Sequence, residues 1–172
     1  MDIRAALKGQ YHAGLKMLRQ CVELCPEDVW IAGEHPRTFW RIAYHGVFFT
    51  HLYLQPNEAA FQPWAKGRED ADCLWESPPE IAPYSKVEML EYIDLVDAQV
   101  DATVELLDLD SKDSGFSWYP SIDKLGHQLM NIRHLQGHVG QLSELLMGHG
   151  IDTNWVGLAS TAQPNAKVNS PI

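Results

Sequence analysis

The sequence lacks any apolar run approaching the ~20 residues that span a bilayer, and it is poor in basic residues. Lys and Arg number 13 against 23 Asp and Glu, for a formal net charge of −10. A nucleic-acid partner normally needs a basic stripe that displaces counterions from phosphates. Such acidity excludes that class as a first reading and equally disfavours an anionic membrane surface. The opening residues MDIRAALKGQ are too polar for a secretory h-region, so a cytoplasmic location is expected. Cysteine is scarce as well. Cys21 and Cys25 lie one helical turn apart and Cys73 is remote, an odd count of three with no further soft ligands nearby. These are expected to be buried small hydrophobes, neither a disulfide framework nor a thiolate metal site.

What remains is a chain of 172 residues, 45% apolar, long enough for one domain with a substantial core. Helical periodicity runs through four segments. In residues 3–25, Ile3, Leu7, Tyr11, Leu15, Leu18, Val22 and Cys25 recur at steps of three and four, up to the stop at Pro26. A second helix is expected from Pro36 to Leu54, apolar nearly all round and therefore deeply buried. A third begins at Ser85, where Ser85 and Glu88 form a capping box, and carries the stripe Leu90, Ile93, Val96, Val100, Val104 and Leu107. Its Glu91, Asp94, Asp97, Asp101, Glu105 and Asp108 read as a solvated face. The fourth is expected from Ser121 to Met147, with Leu125, Leu129, Ile132, Leu135, Val139, Leu142 and Leu146 inward.

Between the second and third helices, residues 55–84 hold Pro56, Pro63, Pro78, Pro79 and Pro83. That is long for a plain loop, and it suits a crossover between distant elements. The fold class expected is all-α, a four-helix bundle over residues 1–150 with this long crossover. Residues 151–172, without periodicity, are expected to form a tail packed on the bundle or partly disordered.

The chemistry lies in the histidines. His134 and His138 are spaced i, i+4, which sets their side chains about 40° apart and one turn along the same helix face. That geometry lets two imidazoles converge on one ion. Both flank the apolar arc of the fourth helix, and His45 falls independently within the apolar arc of the second. Any one alone is most simply a core histidine hydrogen-bonded to a carbonyl or acid. Three unpaired imidazoles in one core would each carry a desolvation cost that a shared metal removes. His45, His134 and His138 are therefore expected as ligands of one divalent ion. His127, seven residues before His134, lies about 10 Å along the axis and cannot share the ion with His138. His51 points away from His45, His12 faces either the site mouth or solvent, and His35 and His149 are expected at the surface.

The run Asn131-Ile132-Arg133-His134-Leu135-Gln136-Gly137-His138-Val139-Gly140-Gln141-Leu142 resembles the last-helix signature of the DinB-like (DinB/YfiT) metalloenzyme superfamily. Trp40-Arg41-Ile42-Ala43-Tyr44-His45 is similar to that superfamily's second-helix histidine context. Val139 stands where an arginine is common. The resemblance spans roughly residues 1–150 and implies a bundle with a crossover, three histidine ligands for a nickel- or zinc-like ion, and often a homodimer.

Nitrogen-only ligation suits zinc, nickel, iron or copper over magnesium or calcium, and three ligands leave a coordination position open. Two enzyme chemistries follow, a hydrolase using an activated water or a transferase using an activated thiolate. Thiol transferases among the relatives favour a low-molecular-weight thiol as the small-molecule partner. The competing expectation is a stress-related or binding module in which the metal only ties helices together. No Asp or Glu is placed by periodicity beside the histidines, so no catalytic residue is named.

Overall fold

The computed structural model describes residues 2–75 and 77–159. Among these the regular structure is entirely helical: α1 (Ile3–Leu24), a single turn α2 (Glu27–Trp30), α3 (Phe39–Leu54), α4 (Lys86–Leu106) and α5 (Lys124–Met147), with a 3-10 turn at Glu58–Ala60. None of the helices is long and apolar enough to cross a membrane.

Side-chain caps define the long helices. The Asp2 carboxylate accepts from the Ala5 amide, Asp123 from the Gly126 amide, and Ser85 and Glu88 close the capping box on α4. Two expected boundaries shift. α3 starts at Phe39 and not at Pro36, because residues 34–37 form a turn in which the Arg37 amide donates to the Glu34 carbonyl. α5 starts after Asp123 and not at Ser121, where an acid able to cap free amides takes over.

The four long helices pack as neighbouring pairs: α3 with α5, α1 with α4, α1 with α5, and α3 with α4. Their contacts give the directions. Tyr11 meets Gln128 and Cys21 meets Ser143, so α1 and α5 run parallel. Gln128 donates to the Tyr53 carbonyl while Gly46 lies against His138, so α3 and α5 run antiparallel. Tyr44 stacks on Tyr84 just ahead of α4, and His51 meets Tyr92 farther along, so α3 and α4 run parallel.

Residues 55–85 accordingly return from the end of α3 to the level of its start. Near one end the Lys124 ammonium donates to the Pro56 carbonyl at 2.6 Å. Toward the other, Trp64 stacks on Tyr92 with centroids 4.6 Å apart and Tyr84 on Tyr44 at 4.8 Å. These rings wedge the segment between α3 and α4, each stack adding about 0.5–1.5 kcal/mol beyond the area it buries.

One expected face differs from its pattern. Leu129 is exposed, whereas Gln128 and Asn131 are fully buried. Tyr11 donates to Gln128 Oε1 at 2.7 Å, and Asn131 donates to Tyr11 at 3.0 Å and to the Thr50 carbonyl at 3.2 Å. A hydrogen-bonded polar network thus occupies the inner face where apolarity alone would place a leucine. The acidic row of α4 is a solvated face, as expected, and carries ion pairs: Glu91 with Lys66, Asp94 with Arg19, Glu105 with Lys8, and Asp97 and Asp101 with the buried His12. Cys21, Cys25 and Cys73 are free and buried, as expected. Of the tail, residues 151–159 lie along α1, where the Asn154 amide donates to Gln20 and the Ala159 amide to the Gly9 carbonyl. Residues 160–172 lie outside the described residues.

Candidate metal centre

α3 contributes His45 and α5 contributes His134 and His138, and the three rings meet where these antiparallel helices approach closely. A methyl group at Gly46 would lie only 3.4 Å from the His138 Cβ. The Nε2 atoms of His45 and His134 are 3.1 Å apart, as are those of His138 and His134. All three ligand atoms lie within 4.8 Å of one another. For comparison, bonds of about 2.0–2.1 Å at a tetrahedral angle place two nitrogens roughly 3.3 Å apart.

The outer ring nitrogens set the tautomers. His45 Nδ1 is 2.6 Å from the backbone carbonyl of Asp72, which can only accept, so Nδ1 carries the proton and Nε2 presents a lone pair. His138 Nδ1 faces Gln141 Oε1 at 2.9 Å, with the same consequence. Metal-ligating histidines are generally oriented in this way through their second nitrogen. His134 departs from the pattern, since its buried Nδ1 has no partner among the described residues.

The charge states agree. Burial pushes the His45 imidazolium down to about 3, with His138 and His134 acting in the same direction. Burial and His138 bring His134 down to about 4, and burial also lowers His138. All three rings are neutral at neutral pH.

Neutrality leaves a deficit of protons. With Nδ1 protonated on His45 and His138, the central His134 Nε2 has at most one proton to offer two lone pairs, each 3.1 Å away. One nitrogen pair then faces lone pair to lone pair. A divalent cation at the centre would use every lone pair, and the all-imidazole donor set fits zinc, nickel, copper or iron.

Sequence reasoning missed the groups that hold this arrangement. Arg41, one turn before His45 and 1% exposed, donates to the Asp70 carbonyl at 2.9 Å, the Pro79 carbonyl at 3.3 Å and the Cys73 carbonyl at 3.5 Å. It thereby clamps the stretch of chain that offers the Asp72 carbonyl to His45. Its i, i+4 relation to His45 was a usable signal; Asp72 had none, because the acting atom is backbone. Gln141, in the quoted last-helix run, could have been found from its i, i+3 relation to His138.

The other histidines lie elsewhere. His127 is fully buried against Phe116 and Tyr53, with neither ring nitrogen bonded among the described residues. His51 turns to Tyr92, and His12 is buried between Asp97 and Asp101, so the expectation that it faces the site mouth or solvent is corrected by its paired carboxylates. His35 and His149 are exposed. No protein-family model, curated protein or solved structure matches this chain.

Proposed function

We propose that the chain is a DinB-like four-helix bundle with a crossover at residues 55–84, and that it binds one divalent ion through His45, His134 and His138. The observation that carries this reading is the meeting of three neutral Nε2 atoms, two of them presented by anchored Nδ1–H groups. Zinc or nickel heads the candidates, with iron or copper behind.

The reading extends to a metal-dependent enzyme of thiol-transferase or hydrolase type acting on a small molecule. A bound ion would supply Lewis acidity, lowering the pKa of a water or thiol brought to it. The chain's own residues would do the rest. The Asp72 carbonyl and Gln141 keep two rings in the ligating tautomer, and Phe49 and Tyr53 line the histidines with apolar surface that limits water. Among the described residues no Cys, Asp or Glu joins the three histidines, which favours an open position over a sealed structural site.

The test is elemental analysis of protein purified without an affinity tag, followed by activity screening with small thiols and electrophiles. One transition-metal ion per chain and thiol-dependent turnover support the enzyme. Stoichiometric metal without turnover, whose removal unfolds the bundle, would favour a structural metal instead.

A further inference from the structure

His45 and His138 each turn their outer ring nitrogen to an oxygen, and His134 does not. Its Nε2 stands 3.1 Å from the Nε2 of both neighbours, so Nδ1 is the atom turned away from the cluster. That atom is buried without a partner among the described residues. A neutral imidazole that gives Nε2 to a metal carries its proton on Nδ1, and a buried N–H needs an acceptor.

One turn back on α5 an acceptor lies unused. Asn131 is fully buried, and its Nδ2 donates to the Thr50 carbonyl at 3.2 Å and to the Tyr11 hydroxyl at 3.0 Å. A carbonyl can only accept, so the orientation of the amide is fixed and both its protons are spent. The remaining atom, Oδ1, has no partner among the described residues. Residues three apart on a helix have Cβ atoms about 5–6 Å apart, and side chains lean toward the N-terminus, which tilts His134 over Asn131. The packing of α3 gives the same level. Phe49 and Tyr53 lie 5.6 and 6.4 Å from the His134 ring between centroids, and Thr50, which holds Asn131, falls between them in sequence.

The other unpaired buried acceptors lie elsewhere. Gln136 Oε1 faces α1, 3.4 Å from where a Cβ on Gly14 would sit. Thr38 Oγ1 is at the start of α3, on the far side of His45 from Thr50, and His127 is about 10 Å from His134 along the helix.

Resting on the reading of the triad as a metal centre, we propose that Asn131 is the positioning residue of His134, its Oδ1 holding the Nδ1–H through one buried water. The two atoms make no direct hydrogen bond, and neither side chain is free to swing toward the other. Asn131 is pinned from α1 and α3, and His134 by its place between His45 and His138. A water supplies the donor that Oδ1 lacks and the acceptor that Nδ1–H lacks. The tie fixes the ligating tautomer of the third ring and joins the metal centre to the hydrogen bonds that link α1, α3 and α5.

Long-range proton–nitrogen correlation spectra of the zinc-loaded, full-length chain, labelled with heavy nitrogen, report the tautomer of each ring. The expected result is a His134 Nδ1–H that resists exchange and shows a cross-relaxation peak to one long-lived water. Asn131→Leu should remove that peak and raise the zinc dissociation constant roughly 10- to 100-fold. Tyr11→Phe cuts the same network but leaves Oδ1 and the Thr50 bond in place. It should lower stability while zinc affinity and the His134 peak stay as in wild type. Absence of the peak in zinc-loaded wild type overturns the proposal without any variant. So does an Asn131→Leu chain that binds zinc as wild type does, or a Tyr11→Phe chain that weakens zinc as much as Asn131→Leu. Histidine signals that do not move when zinc is added to wild type are a separate result, which defeats the metal reading itself.

Discussion

His45 Nδ1 donates to the main-chain carbonyl of Asp72 across 2.6 Å, joining the middle of α3 to the segment that returns between α3 and α4. This one bond selects the tautomer of His45 and aims its Nε2 at His134 and His138. The carbonyl stays in reach because Arg41 grips the same segment on both sides of it.

Loss of that grip should be felt at the metal before it is felt in the fold. Arg41→Met is expected to weaken zinc binding roughly 10- to 100-fold, the usual effect of removing an orienting group outside the ligand shell. Arg41→Lys should fall between, because an ammonium cannot span the same carbonyls as a fork. Competition titration with a chromophoric chelator measures both. Unchanged affinity in Arg41→Met would show that Asp72 is held by other means.

The ligand assignment separates His138 from His127. His138→Ala should lose metal while keeping most of its helical circular dichroism, since packed apolar helix faces carry the fold. His127→Phe should keep metal, because His127 stacks on Phe116 away from the triad.

His127→Phe should also stabilise the protein, by about 1–3 kcal/mol, since it removes a buried imidazole whose nitrogens have no partner among the described residues. Burial and the Lys124 charge push His127 down to about 4 in the fold, against about 6.5 when unfolded. A depressed value stabilises above the unfolded pKa, and that contribution is lost as pH falls from about 6.5 toward 4. Urea melts across this range should show a shallower acid loss in His127→Phe than in wild type.

His12 has the opposite sign. Burial opposes its charge, but hydrogen bonds and charge from Asp97 and Asp101 outweigh this and raise its pKa. Both ring nitrogens face carboxylates, an arrangement only the imidazolium satisfies fully. Its stabilisation of the α1–α4 contact is therefore complete below the unfolded value and lost as pH rises through the folded one. Wild type should lose stability over that alkaline step, and His12→Gln should not. Parallel pH profiles for the two would contradict this.

Much of this was legible in the residues. Periodic apolar positions mark the four long helices, Ser85 and Glu88 mark the start of α4, and the i, i+4 pair with His45 marks the cluster. The errors have physical causes. Leu129 reads as inward when apolarity stands for burial, whereas the inward positions belong to Gln128 and Asn131, paired to Tyr11, Thr50 and Tyr53 from other helices. Partners that distant in sequence leave no local trace. The Asp72 contact was illegible for a different reason, since any residue there would present the same carbonyl.

The most direct test of the central claim is the X-ray absorption spectrum of the protein holding one equivalent of zinc. Three imidazoles should appear, with nitrogens at about 2.0–2.1 Å and the multiple-scattering pattern of their rings. A shell containing sulfur, or one with fewer than two imidazoles, would contradict the assignment of His45, His134 and His138 as the ligands.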